Sequence, residues 1–442
     1  MKQKLICLSN SLLVAATIVT STVLIGSSSD VHAQGLGPHD RDNARAMLKA
    51  AKDDLKKNYY DPALRGMDLE ARFKDAEEKL QQATTRDQLM IIVAQTLLDL
   101  NDSHTYLLPP SRAARVQYGW DMQMIGDNAF VVAVKPKSDA ELKGLKPGDQ
   151  IMAVDGYRPT RDNMWKMYYR YYALMPSRSI RVVVQSPGES QPRELDLLAK
   201  VERGSTVTDW ENVFVRYLRE RRDVSEDRVV EIGKEVMIWK MTSFEVSETF
   251  VDDIMGKARN FKTLIIDLRG NGGGYVDSLT RLVGHVFDHD IKIADLKGRK
   301  EMKPVLAKTR GAGGFKGDLI VLVDSDSGSA SELFARVVQL EKRGQVIGDR
   351  TSGSVMVAKH YDHQHGVGAI LYFGTSITIA DMIMADSKSL ENTGVTPDLV
   401  LIPEGANLAA KRDPVLSHAA KLAGATLEPE KAGSLFPKVW RN

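Results

Sequence analysis

The chain is almost devoid of cysteine. Cys7 is the only one among 442 residues, and it lies within the first 33, which differ from the rest. The remainder therefore has no disulfide, no thiol nucleophile and no thiolate metal site. A dominant charge is also missing. Lys and Arg number 60 against 58 Asp and Glu, a net +2, so no nucleic-acid partner or acidic lipid surface is implied. After residue 33 no run reaches the ~18 apolar residues of a membrane span. Internal repeats and low-complexity tracts are absent. The length and the 43% hydrophobic share predict a globular chain of two or three domains.

What is there begins with an export signal. Lys2 and Lys4 precede a mostly apolar stretch over 11–26, and Val31-His32-Ala33 offers a small-x-small cleavage site. Residues 1–33 read as a signal peptide cut before Gln34, with a retained anchor as the alternative. An exported protein, periplasmic or extracellular, is the expectation, and export without disulfides fits a bacterial envelope. The predicted fold class is multidomain α/β. Residues 40–112 form a helical region, 116–199 a β-rich module, 200–412 an α/β core, and 413–442 a helical tail.

Helical spacing covers 43–58, where Ala46, Met47, Ala50, Ala51 and Leu55 make an apolar stripe, and continues over 68–83 and 85–100. The helical region ends in LNDSHTYLLPP. Beyond it, short β-rich runs at 129–134, 150–154, 180–185 and 193–198 flank KSDAELKGLKPGDQIMAVDG, residues 137–156. That segment resembles a PDZ domain, a module that adds an extended chain end to its sheet edge. The resemblance puts a peptide-binding loop at Gly119, Trp120, Asp121 and Met122. Asp121 is unusual there, because a carboxylate would repel a free C-terminus.

From Val229 onward strands and helices alternate, which predicts an α/β layer. Two strand-to-helix junctions stand out. Val321–Val323 runs into Ser327-Gly328-Ser329-Ala330-Ser331-Glu332, three serines at a helix N-terminus. Such a turn suits an exposed nucleophile with backbone N–H groups beside it, but serine is also an ordinary helix cap. Leu264–Leu268 runs into Arg269-Gly270-Asn271-Gly272-Gly273-Gly274. The glycines allow close backbone approach and an anion nest, while the Walker lysine and the G-x-G-x-x-G spacing are missing, so a second oxyanion donor is the better reading.

With GDRTSG at 348–353 and LENTGVTPD at 390–398, these ordered segments resemble the family of C-terminal processing proteases and the related tricorn core protease. The resemblance implies a ClpP/crotonase-like catalytic core. It makes Ser329 the nucleophile and the N–H groups of Gly273 and Ala330 the oxyanion hole. Tail-specific members use a Ser–Lys dyad, but the lysine position here is Ser354, leaving Lys359 as a displaced alternative. The tricorn-like branch uses a Ser-His-Ser-Glu tetrad. Its pieces resemble Ser103, His104 and Glu391, with His104 as general base, Ser103 on its other ring nitrogen and Glu391 behind Ser103. The expected function is a serine endopeptidase acting on proteins or peptides, without cofactor or metal. His360, Asp362, His363 and His365 form the one cluster with metal-ligand chemistry, read as solvated or rim residues rather than zinc ligands. The rival reading is a binding protein that no longer cleaves, as in the retinoid-binding proteins that share the fold. The oligomeric state is left open.

Overall fold

The computed structural model of the protein describes residues 35–110, 114–203, 228–367, 370–438 and 440. The signal-peptide segment lies outside the described residues. From Gly35 onward the chain forms one compact unit.

Three helices come first: α1 (Asp40–Asn58), α2 (Leu69–Gln82) and α3 (Arg86–Leu98). Thr85 caps α3 reciprocally with Gln88, which fixes where the helix starts. The buried stripe of α1 is Ala44, Met47, Leu48, Ala51, Asp54 and Leu55, so Ala46 and Ala50 lie at its margin rather than within it. The stripe is rotated because Asp54, polar by composition, turns inward to accept from Thr375 Oγ1 at 2.6 Å and pair with His363 Nε2 at 2.7 Å. A buried carboxylate needs such partners.

Strand β1 (Tyr106–Leu108) leaves the helices and β2 (Ala114–Gln117) follows. A five-stranded antiparallel sheet then forms in the order β3 (Trp120–Ile125), β4 (Asn128–Val134), β5 (Gln150–Val154), β6 (Ser179–Gln185), β7 (Arg193–Leu198). It carries α4 (Asp139–Leu142) and α5 (Met164–Tyr169), and β3 is an edge strand. Strand β8 (Lys200–Arg203) pairs with β2, bringing the chain entering and leaving this sheet side by side.

The core begins with β9 (Arg228–Ile232), β10 (Val236–Lys240), α6 (Glu248–Ala258), β11 (Thr263–Asp267) and α7 (Val276–Val286). It continues with β12 (Ile291–Gly298), β13 (Val305–Ala307), β14 (Asp318–Val323), α8 (Ala330–Leu340) and β15 (Gln345–Gly348). Two long strands, β16 (Met356–His365) and β17 (Leu371–Met384), are followed by β18 (Leu399–Val400), α9 (Gly405–Ala409), α10 (Pro414–Leu422) and α11 (Pro429–Leu435). A six-stranded sheet, β18-β15-β14-β11-β10-β9, is parallel except at β9. Its strands are apolar on both faces. Met237 and Trp239 face α6, α7 and α8, whereas Val236 and Ile238 face α10. Burial on both sides is what a parallel sheet requires. A second, antiparallel sheet of β1, β17, β12, β13 and β16 lies between the helical region and the core.

The alternation of strand and helix expected from Val229 onward holds for the parallel strands from β10 on, whereas β9 and β10 are consecutive antiparallel strands with no helix between them. The antiparallel sheet, with its 14-residue β17, is not apparent from the sequence pattern.

Candidate active site

The turn between β14 and α8 distinguishes its serines by what their hydroxyls do. Ser327 Oγ is buried and donates to Leu268 O at 2.8 Å. Ser331 Oγ is buried and donates to Asn271 O at 2.8 Å. Ser329 is half-buried, and its hydroxyl donates to no acceptor among the described residues. Its backbone sits at φ 51°, ψ −114°, a sparsely populated conformation for a residue with a side chain. Such conformations cost on the order of 1–3 kcal/mol and persist only where surroundings impose them. Here the Ser329 N–H donates to Glu332 Oε2 at 2.9 Å and to Ser354 O at 3.1 Å.

Glu332 is wholly buried and gathers a loop around the serine. It accepts from Thr351 Oγ1 (2.5 Å), Ser352 Oγ (3.2 Å), Gly353 N (2.7 Å) and Ser354 N (2.9 Å). Burial pushes its carboxyl above the ordinary value, while these donors pull it back. Glu332 does not stand out in the sequence as a site residue. Its signal is the serine-x-x-glutamate spacing of a capping box.

Gly273 packs against Ser329. A Cβ there would lie 2.7 Å from Ser329 Cβ and 3.0 Å from Ala330 N, and its φ of +101° favours glycine. The Ala330 N–H is in the first turn of α8, where no intrahelical acceptor exists. The Gly273 N–H, by contrast, donates to Asn271 Oδ1 at 2.9 Å.

Ser103, His104 and Glu391 are joined side chain to side chain. Ser103 Oγ donates to Glu391 Oε2 at 2.8 Å and lies 2.7 Å from His104 Nδ1. A hydroxyl that gives its proton to a carboxylate must accept from Nδ1–H, which leaves Nε2 as the unprotonated nitrogen. Glu391 also accepts from Ser103 N at 2.8 Å and Val355 N at 3.0 Å. Burial, and then the charge of Asp102, push Glu391 up to about 7. Burial lowers His104 below its ordinary value, against an upward pull from Asp102. Among the described residues no hydrogen bond joins His104 to Ser329.

Asp102 is a residue that sequence reasoning misses. It is 1% exposed and accepts from Tyr59 O–H (3.0 Å), His104 N–H (2.8 Å) and Thr378 Oγ1 (2.7 Å). Only the fold reveals this, because Tyr59 and Thr378 are far from it in sequence. Lys359, the alternative base, holds its Nζ over the Tyr361 ring at 5.5 Å. His363 is spoken for by Asp54. Among the described residues no cluster of His, Cys, Asp or Glu is arranged to hold a metal.

In the β-rich module, Gly119 has φ 74° and its carbonyl accepts from Lys135 N at 2.8 Å. Trp120, Asp121 and Met122 are buried. Asp121 is not a free anion beside the loop, because Lys438 pairs with it. Met122 O accepts from Tyr168 O–H at 2.5 Å.

Comparison with known proteins bears on this geometry. Residues 236–401 match the profile of peptidase family S41. The chloroplastic C-terminal processing peptidase of Tetradesmus obliquus is 24% identical over 366 residues, 78% of this chain and 75% of that protein. The carboxy-terminal processing protease CtpB of Bacillus subtilis is 24% identical over 360 residues, 77% of this chain and 68% of that protein. The tail-specific protease of Haemophilus influenzae is 25% identical over 354 residues, 75% of this chain but only 48% of that protein. Among solved structures, mature CPAF complexed with lactacystin superposes with a TM-score of 0.63 at 13% identity, covering 84% of this chain and 95% of that one. The photosystem II D1 C-terminal processing protease gives 0.52 at 19% identity, covering 89% and 99%. At such identities the structural likeness is one of fold. The matches assign the chain to serine-type peptidases and bear out the resemblance read from its motifs.

Proposed function

We propose that the chain is an exported serine endopeptidase whose nucleophile is Ser329 and whose general base is His104. Ser329 Oγ attacks a peptide carbonyl carbon while His104 Nε2 takes its proton. The tetrahedral oxyanion is met by the Ala330 N–H, and by the Gly273 N–H once Asn271 Oδ1 releases it. Collapse expels the amine, which leaves with the proton from His104. Water, deprotonated by the same nitrogen, then cleaves the acyl-enzyme. Ser103 and Glu391 hold the imidazole in the tautomer this requires. One oxyanion donor typically contributes about 10²–10³ in rate.

One contrast carries this reading: Ser327 and Ser331 have committed hydroxyls, Ser329 does not, and the hydrogen bonds from Glu391 through Ser103 leave His104 Nε2 unprotonated. Lys359, engaged with Tyr361, offers nothing comparable.

The β-rich module is proposed to select substrate as a PDZ domain. The relatives named C-terminal processing and tail-specific suggest chain ends as substrates. The pairing of Asp121 with Lys438 gives the module a neutral rather than anionic rim, and dependence on a free carboxyl end is expected to be weak.

The test is labelling by a fluorophosphonate. The wild type is expected to gain one adduct on Ser329 and to hydrolyse an unstructured peptide, and Ser329→Ala to do neither while unfolding at the same temperature. Labelling of Ser327 or Ser331 instead overturns the choice of nucleophile. A wild type that is neither labelled nor active returns the chain to the binding-protein reading.

A further inference from the structure

Two edge strands of this molecule, β3 and β16, have main-chain groups in different states. In β3, the paired residues Phe130 and Gln123 turn toward each other, because the opposite face of β4 is committed elsewhere: Val131 N donates to Asp149 O and Val131 O accepts from Gly148 N, both at 2.8 Å. In an antiparallel ladder successive residues face opposite sides. Met122 and Met124 therefore turn outward, and both carbonyls are capped, Met122 O by Tyr168 O–H and Met124 O by Ser325 Oγ, each at 2.5 Å.

Strand β16 differs. It pairs with β17 along its whole length and with no other strand among the described residues. Thr378 fixes the parity. Its N–H donates to Thr105 Oγ1 and its carbonyl accepts from Tyr60 N, so both point to the β1 side, away from β16. Ala358 lies opposite Thr378, His360 opposite Ser376, Asp362 opposite Gly374 and Gln364 opposite Tyr372. The N–H and C=O groups of Ala358, His360, Asp362 and Gln364 consequently face outward, and no hydrogen bond to them occurs among the described residues. His360, Asp362 and Gln364 are exposed.

This open edge grows directly out of the catalytic loop. Ser354 O accepts from Ser329 N, and Val355 N donates to Glu391. Ala358 is three residues on, about 10 Å along a strand. His360 is close enough to His104 that a charge on one disfavours a charge on the other. Exposed edges usually carry charges that discourage pairing, and Lys359 and Asp362 supply them here. What such guarding does not account for is an uncapped ladder that starts at the nucleophile's own support.

We propose that the outer edge of β16, at Ala358, His360, Asp362 and Gln364, binds the extended polypeptide substrate as an added strand and feeds it to Ser329. The proposal rests on the serine-peptidase reading above. Main-chain hydrogen bonds to alternate residues supply the affinity, so recognition along this edge is of backbone rather than of side chains.

Proline tests it selectively, because the Asp362 N–H makes no bond to β17 and a proline with its nitrogen facing outward is tolerated at a sheet edge. Asp362→Pro is expected to raise KM for an unstructured peptide by about tenfold with kcat changed far less. Asp362→Ala, which keeps the N–H, should show a much smaller rise. Thermal unfolding of Asp362→Pro checks that the hairpin stands, and Gln364→Pro replaces it if it does not. In parallel, a peptide substrate N-methylated at successive residues should lose cleavage at alternate positions on one side of the scissile bond. Equal KM for wild type and both proline variants, or N-methyl sensitivity without alternation, overturns the proposal while wild-type cleavage and labelling leave the peptidase reading intact. A proline variant that changes oligomeric state but not KM assigns the edge to a second copy of this chain, and also overturns it.

Discussion

On the Ser329 side, the buried carboxylate of Glu332 holds backbone: the N–H groups of Ser329, Gly353 and Ser354, with the hydroxyls of Thr351 and Ser352. On the histidine side, the buried carboxylate of Glu391 holds a side-chain relay, Ser103 Oγ and through it His104 Nδ1. Both carboxyls are raised by burial, and both grip the same short loop, Glu391 through Val355 N. The first keeps a strained conformation in place. The second sets which ring nitrogen is free. One carboxylate therefore acts through geometry and the other through protonation, and substitutions should separate them.

The largest effect is expected at the imidazole. His104→Ala should lower turnover on the order of 10³ or more, as loss of a base in a coupled unit does. Its unfolding temperature should fall only modestly, because Ser103 Oγ keeps Glu391 Oε2 as a partner when the bond to Nδ1 is lost. Lys359→Ala, measured beside it with the same peptide, should cost little. The reverse pattern would restore a Ser–Lys mechanism and leave His104 as a structural residue.

Glu332→Ala should break the comparison from the other side. It leaves the N–H groups of Gly353 and Ser354 buried without acceptors, each costing about 1–3 kcal/mol. Stability and activity should therefore fall together, activity by about 10² as Ser329 relaxes from its positive φ. Chemical denaturation and peptide hydrolysis on one preparation provide the check. A Glu332→Ala protein of normal stability that is merely slow would mean the carboxylate acts chemically instead.

The Ser329 half of the candidate site is legible in the amino-acid sequence because its pattern is local. The apolar run, the serines and the helix that follow are contiguous, and so are the glycines of 270–274. Ser103 and His104 are legible as neighbours, but Glu391 joins them across almost the whole core, and the residues alone carry no distance; only the family resemblance points to it. Asp102 and Asp54 escape notice for one reason: a single acidic residue in a polar context looks solvated until tertiary contacts bury it. Strand β16, MVAKHYDHQH, is hard to read because an exposed edge has no apolar alternation. In β17, Gly374, Thr375 and Ser376 obscure an alternation that only its partners on both sides explain.

The smallest effect is the most specific, and it lies in the pH dependence of Glu391. With its carboxyl raised to about 7, acid protonates it within the working range. A protonated Glu391 donates to Ser103 Oγ, which then donates to His104 Nδ1, and the ring proton moves to Nε2, where it blocks the base. His104 itself is lowered by burial, so its own protonation falls at more acid pH. The acid limb of kcat/KM should thus lie near pH 7 in the wild type. In Glu391→Gln it should move to lower pH, with the plateau reduced about tenfold. Stability runs the opposite way. The folded-state value lies above the ordinary 4.5, so the folded protein holds this proton more tightly than the unfolded chain does. That contribution is complete below pH 4.5 and disappears as pH rises through about 7. Across this window the wild type should gain activity while losing stability, and Glu391→Gln should flatten both trends. Urea unfolding and peptide hydrolysis at matched pH values measure the two. An acid limb that stays near pH 7 in Glu391→Gln would take the titration away from Glu391 and give it to His104.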